Sequence, residues 1–210
     1  MVIDDGVIKY DTSGFQKSEP LSLREFESLE AWRKKLYQLN LIGEYPIEKV
    51  GFGNLSCLQD YQSFMINDKP QFVITGTQTG KHKNLSGDHY TRVLDYDLHK
   101  MTMKAMGPVM ASSEALSHAS IYLCSKEITS VFHIHSQSIW NGMIEQNMDS
   151  TPSDVPYGTY EMALAVEECV GNKKFGTFVM KGHQDGVMIF GRSNEECGEL
   201  TLKLNERFNS

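Results

Sequence analysis

No stretch of the chain approaches the roughly 18 consecutive apolar residues that a membrane-spanning helix requires. A helical membrane protein is therefore excluded. Basic residues never run together beyond Arg33-Lys34-Lys35 and Lys173-Lys174, so the sequence carries no electrostatic footprint for nucleic acid. Cysteine is sparse. Cys57, Cys124, Cys169 and Cys197 stand far apart, and none belongs to a Cys-x-x-Cys pair. A chain of 210 residues buries roughly 70% of its unfolded surface and needs no disulfide staples. The four cysteines are thus expected to be reduced, mostly buried thiols. The first dozen residues carry Asp4 and Asp5 and lack an apolar segment, so no secretory signal is expected there and the protein reads as cytoplasmic. Internal repeats and low-complexity segments are also missing.

What is present is an ordinary globular composition. Hydrophobic residues make up 40% and charged residues 22%, with a net charge of -7 whose two signs are interspersed. Small anionic ligands stay compatible with that charge, because the local field of a pocket can oppose the net field. The length suits one domain, expected over residues 21–210, preceded by an arm over residues 1–20 with a short strand at Val7-Ile8-Lys9-Tyr10.

Leu23, Phe26, Leu29, Trp32, Leu36 and Leu39 recur at helical spacing after Pro20-Leu21-Ser22, and predict a helix reaching about Leu41. From Gly51 the texture changes to short strands and turns. Strands are expected at 63–66 and 71–75, joined by a turn at Asn67-Asp68-Lys69-Pro70, and again at 90–98, 128–135, 175–180 and 186–190. Ser112-Ser113 is expected to cap a helix from Glu114 to about Lys126. Further helices are expected from Gly158-Thr159-Tyr160-Glu161 to about Val170 and after Ser193. The alternation predicts an α/β fold, a three-layer sandwich whose central, mostly antiparallel or mixed sheet is covered by helices.

The segment Val131-Phe132-His133-Ile134-His135-Ser136 carries the strongest chemical signal. Side chains alternate along a strand, so His133 and His135 project from one face, placed to share a metal. The pair reads equally well as one core and one surface histidine. Other features favour the metal. His183 lies in a turn after an apolar strand, Glu114 starts a helix ahead of the His-x-His strand, and small polar residues gather at Asn54, Ser56, Thr75, Thr77 and Thr79. Glu114 alone reads as a common first-turn acid, favoured at helix N-termini by about 0.3–1 kcal/mol.

Taken in order, Gly53-Asn54-x-Ser56, Thr79-Gly80, Ser112-Ser113-Glu114, His133-x-His135, Gly158-Thr159 and His183 resemble the class II aldolase/adducin family. The resemblance covers about two-thirds of the chain. It implies that His133, His135 and His183 hold one Zn2+ ion and that Glu114 is the catalytic acid/base. It also implies that Asn54, Thr79, Gly80, Ser112 and Ser113 bind a substrate phosphate, for which a helix N-terminus is a plausible seat. The activity implied is aldol cleavage or condensation of a small sugar or sugar phosphate, such as a ketose phosphate, through an enediolate held by the metal. Subunits of such enzymes form homotetramers with sites at their interfaces.

Departures from the family pattern also occur. Related epimerases carry Asp where Glu114 stands, which favours an aldolase. The segment from Ser136 to Pro156 is short, and no counterpart of the family's middle and tail tyrosines can be placed; Tyr157 and Tyr160 are the nearby candidates, each also readable as structural. Gly182-His183-Gln184-Asp185-Gly186 replaces the commoner His-His-Gly, with Asp185 either orienting a ligand or serving the turn. An epimerase, decarboxylase or dehydratase using the same metal site is the alternative. An adducin-like, non-catalytic interaction domain is disfavoured, because it has no chemical need to keep three histidines and Glu114 together.

Overall fold

The computed structural model describes residues 6–59 and 69–209. The strand expected at 63–66 and the first half of the turn at 67–70 lie outside the described residues. In chain order the elements are β1 (Asp11–Lys17), α1 (Leu23–Gln38), β2 (Gly43–Glu44), β3 (Gly51–Phe52), β4 (Asn54–Leu58), β5 (Phe72–Thr75), β6 (Tyr90–Asp97), β7 (Thr102–Gly107), α2 (Ala115–Cys124), β8 (Ser130–His135), α3 (Gln137–Glu145), β9 (Ser150–Thr151), α4 (Tyr160–Val170), β10 (Gly176–Met180), β11 (Gly186–Gly191) and α5 (Asn194–Asn209).

Nine strands form one sheet in the order β1-β7-β6-β5-β4-β8-β11-β10-β9, and β2 pairs with β3 as a separate hairpin. The seven inner strands are antiparallel, whereas the edge strands β1 and β9 join in parallel. The mixed, mostly antiparallel sheet expected from the sequence is thus the observed one.

Strand alternation divides the interior into two cores. One face packs Phe72, Ile74, Val93, Val131, Phe178 and Met188 against Ala115, Ala119 and Tyr122 of α2 and Met162 and Val166 of α4. The opposite face packs Leu55, Val73, Phe132, Ile134 and Val187 against α1, α3 and α5 through Leu29, Trp32, Ile139, Met143 and Leu204. Two helical layers around one sheet give the three-layer sandwich. β8 lies near its centre, so Val131, His133 and His135 face the α2 side while Phe132 and Ile134 face α1.

Several local expectations shift. The N-terminal strand forms at Asp11–Lys17 rather than at 7–10, because its partner β7 offers backbone groups only from there; the Asp11 N–H reaches Met101 O at 2.8 Å. Helix α1 ends at Gln38, three residues short of Leu41, where Asn40 turns left-handed at φ 57° and the Leu41 N–H returns to Leu36 O. Strand β7 is masked in the sequence by Met, Lys and Ala, weak strand formers whose place is decided by sheet packing. Helix α3 has no counterpart among the expected elements; the Ser136 hydroxyl caps it by accepting from the Ile139 N–H. All four cysteines are free thiols, but only Cys197 is fully buried; the other three are half-buried near helix and strand ends.

Candidate metal and catalytic site

The α2-facing side of the sheet centre opens into a polar cleft. It is lined by Asn54 of β4, the 76–80 loop, Ser112, Ser113, Glu114, His133, His135, Tyr157 and His183, with Gly6 on its wall. The sequence-derived candidates Asn54, Thr79, Gly80, Ser112, Ser113, Glu114 and the three histidines therefore all meet in one place.

β8 presents His133 and His135 two residues apart, as its alternation requires, and their Nε2 atoms face each other at 2.8 Å. His183 comes from the turn between β10 and β11, and its ring lies 5.3 Å from His133 and 4.8 Å from His135. One nitrogen from each ring falls within 4.8 Å of the other two. Gly186, the cross-strand neighbour of His135, keeps the space open: a Cβ there would stand 2.6 Å from the His183 ring and 3.1 Å from that of His133.

Glu114 reaches the cluster from the start of α2. Its Oε2 lies 2.7 Å from His133 Nε2, and its Oε1 lies 3.6 Å from His183 Nε2. The helix begins at Ala115, one residue later than expected, and Glu114 occupies the N-cap position. The capping expected of Ser112-Ser113 is reduced to the Ser112 hydroxyl accepting from the Glu114 N–H at 3.4 Å. The Glu114 side chain turns to the histidines instead of capping. The Asn54 amide donates to Glu114 Oε2 at 3.5 Å.

A second rung lies one turn deeper. Ser56, two residues beyond Asn54, hydrogen-bonds His118 Nδ1 and Tyr122 OH at 2.7 Å each. Helix spacing of four and strand spacing of two thus register α2 against β4 by polar contacts.

All these groups are buried. Glu114 is 3% exposed, His133 1% and His118 0%. Burial on its own raises the Glu114 carboxyl, but His133 and His183 outweigh it and hold Glu114 below the usual carboxylate range. Burial, with repulsion from His133 and His183, pushes His135 well below the ordinary histidine value, so its imidazole is neutral. Burial also lowers His118, to about 3. A buried carboxylate beside three imidazoles costs several kcal/mol of desolvation, which a hydrophobic filling would avoid. Converging imidazole nitrogens are a donor set that a divalent transition metal takes, zinc among them. Among the described residues Glu114 Oε1 lacks a hydrogen-bond partner, so one acceptor faces the cluster unsatisfied. The residues fit a metal ion.

The hydroxyl rim is engaged in part. Thr79 Oγ1 donates to Gly76 O at 2.7 Å. Gly80 is pressed against backbone, where a Cβ would meet Phe52 O at 2.5 Å and Gly43 O at 2.7 Å. Of the tyrosine candidates, Tyr157 packs with its ring tilted 4.7 Å from that of His183, and its hydroxyl donates to Val7 O. Tyr160 pairs with exposed His99 instead. Trp140 belongs to the α1-side core, its Nε1 donating to Met180 O. Asp185 has turn geometry at φ 63°, and burial raises its carboxyl.

Tyr45 joins the site without any signature in the sequence. It sits just after β2, and its hydroxyl meets His135 Nδ1 at 2.7 Å. No spacing rule links position 45 to 135, so nothing local marks it.

Comparison with known proteins completes the picture. The family model described as Class II Aldolase and Adducin N-terminal domain matches residues 37–209. No curated protein matches the chain. Among solved structures, YgbL from Escherichia coli, a candidate aldolase/epimerase/decarboxylase, is similar at 19% identity, with a TM-score of 0.62 over 86% of this chain and 84% of that one. The l-fuculose-1-phosphate aldolase from Thermus thermophilus is similar at 18% identity, with a TM-score of 0.59 over 89% and 92%. At these identities the likeness is one of fold.

Proposed function

The chain belongs to the class II aldolase and adducin family, and from that premise we propose a zinc-dependent carbon–carbon lyase acting on a small ketose or ketose phosphate. The observation that carries the reading is the 2.7 Å contact between Glu114 and His133 inside a buried three-histidine cluster. A non-catalytic domain has no use for that arrangement.

His133, His135 and His183 would hold the ion, which when bound supplies Lewis-acid polarisation of a carbonyl. Glu114, ionised below the usual carboxylate range, is the proton carrier. In condensation it takes the proton from the carbon beside the substrate carbonyl; in cleavage it returns that proton to the same carbon. Asn54 steadies the carboxylate through its amide. Ser112, Ser113 and the Thr79-Gly80 loop form an uncharged rim suited to the oxygens of a phosphate or sugar hydroxyls. The active form is a homotetramer in the cytoplasm, a setting compatible with four free thiols.

One observation favours a second reading. Tyr157, the one tyrosine among the described residues lining the cleft, directs its hydroxyl to Val7 O. Aldol cleavage passes a proton to or from the aldehyde oxygen, whereas decarboxylation needs no such donor. A decarboxylase using the same metal site is the alternative. The test is a coupled assay for dihydroxyacetone phosphate release by zinc-loaded protein across four- to six-carbon ketose 1-phosphates. Release from one of them, abolished by Ser113→Asp through repulsion of the phosphate, supports the aldolase with its anion rim. No cleavage of any member rules the aldolase out.

A further inference from the structure

We propose that Tyr45 is a positioning residue for His135, and that the β2–β3 hairpin serves to present it. The inference rests on the metal role proposed for the three histidines.

The hairpin fixes Tyr45 from both sides. Its N–H donates to Val50 O at 2.9 Å, and its carbonyl accepts from the Lys49 N–H at 2.9 Å. Lys49 closes this turn in the left-handed region at φ 58°. The Tyr45 ring packs 4.7 Å from Phe52 of β3, and Phe52 in turn packs 5.5 Å from the His135 ring. Two aromatic rings therefore clasp the imidazole while the phenol oxygen meets its Nδ1 at 2.7 Å.

That contact decides which nitrogen His135 offers inward. With Nδ1 committed to Tyr45, Nε2 is left to face His133 Nε2. A neutral imidazole that ligates through Nε2 carries its proton on Nδ1, and the Tyr45 oxygen is the acceptor that proton needs. Such outer partners fix the tautomer and ring orientation of a ligand and raise its basicity. A ring flip would set carbon against the phenol oxygen and lose the bond. The two strand histidines are held differently: His133 Nδ1 is buried without a hydrogen-bond partner among the described residues, and its ring is held through Glu114.

Tyr45→Phe removes the hydroxyl and keeps both ring contacts, so it isolates the hydrogen bond. Zinc affinity of the full chain is measured by competition with a chromophoric chelator. Tyr37→Phe, on the exposed side of α1, serves as control. Tyr45→Phe is expected to bind zinc roughly 10–100-fold more weakly, the usual effect of losing such a partner, while Tyr37→Phe matches wild type. In the zinc-loaded wild type the His135 Nδ1 proton gives a slowly exchanging side-chain NMR signal; in Tyr45→Phe it exchanges fast. A merely structural role for Tyr45 would leave that signal in place. Equal affinity in Tyr45→Phe and wild type overturns the proposal alone. A wild type that takes up no zinc overturns it together with the metal reading on which it rests.

Discussion

Glu114 and His133 meet at 2.7 Å although they belong to different layers, one at the start of a helix and the other on a central strand. The contact joins the proposed proton carrier to a candidate metal ligand and rests on two rungs of polar packing, Asn54 above and Ser56 with His118 and Tyr122 below.

The three histidines should hold about one divalent ion per chain. Elemental analysis of protein purified without chelators should find it in the wild type and lose it in the His133→Ala/His135→Ala double variant. Equal metal in both would remove the histidines from the site.

Glu114→Gln keeps shape and removes the proton acceptor. Turnover should fall roughly 10²–10⁴-fold, the scale of general acid–base help, while metal content stays at the wild-type level. Metal loss would make Glu114 a ligand; full activity would end its catalytic role.

His118 should make the protein acid-sensitive above the carboxylate range. Burial holds its folded-state value at about 3, below the ordinary 6.5. Between those values the unfolded chain binds the proton and the native chain does not. The contribution of His118 to stability is therefore complete above pH 6.5 and is lost as pH drops through that window, by up to about 1.4 kcal/mol per unit. Urea unfolding of the metal-free protein between about pH 6.5 and 5 measures the slope, which His118→Asn should flatten. An unchanged slope would mean that His118 is charged in the native state.

Much of this architecture can be read in the chain, and the part that cannot has a common cause. His133-x-His135 is legible because a strand fixes side-chain direction every second residue, and Phe26, Leu29, Trp32 and Leu36 are legible because a helix repeats its face, whereas Leu23 and Leu39, expected on that face, are exposed. Tyr45 and Gly6 reach the site through tertiary packing across long sequence separations, which no local period encodes. β7 hides for a related reason: its Met103 and Ala105 are buried by neighbours and have little strand preference of their own. Asp185 is legible as a turn residue, because φ 63° is a backbone property that Asp tolerates.

Gly186→Ala adds only one methyl, yet that methyl would enter the space between His183 and His133. Metal affinity should drop at least roughly tenfold, with a stability loss of about 1–3 kcal/mol from overpacking. Chelator competition and urea unfolding check the two separately. Wild-type affinity in this variant would show that the rings can yield without disturbing the ligand set.

Gly6 stands on the wall of the cleft, and its carbonyl accepts from Thr77 Oγ1 at 3.4 Å. Gly6 is thus one of the residues that bound the approach to the histidine cluster. A Cβ there would stand 1.7 Å from the Gln78 amide nitrogen, so this wall cannot grow without displacing the Gln78 side chain of the neighbouring loop. Comparing the rates of metal uptake by Gly6→Ala and wild type would gauge how far that wall governs entry.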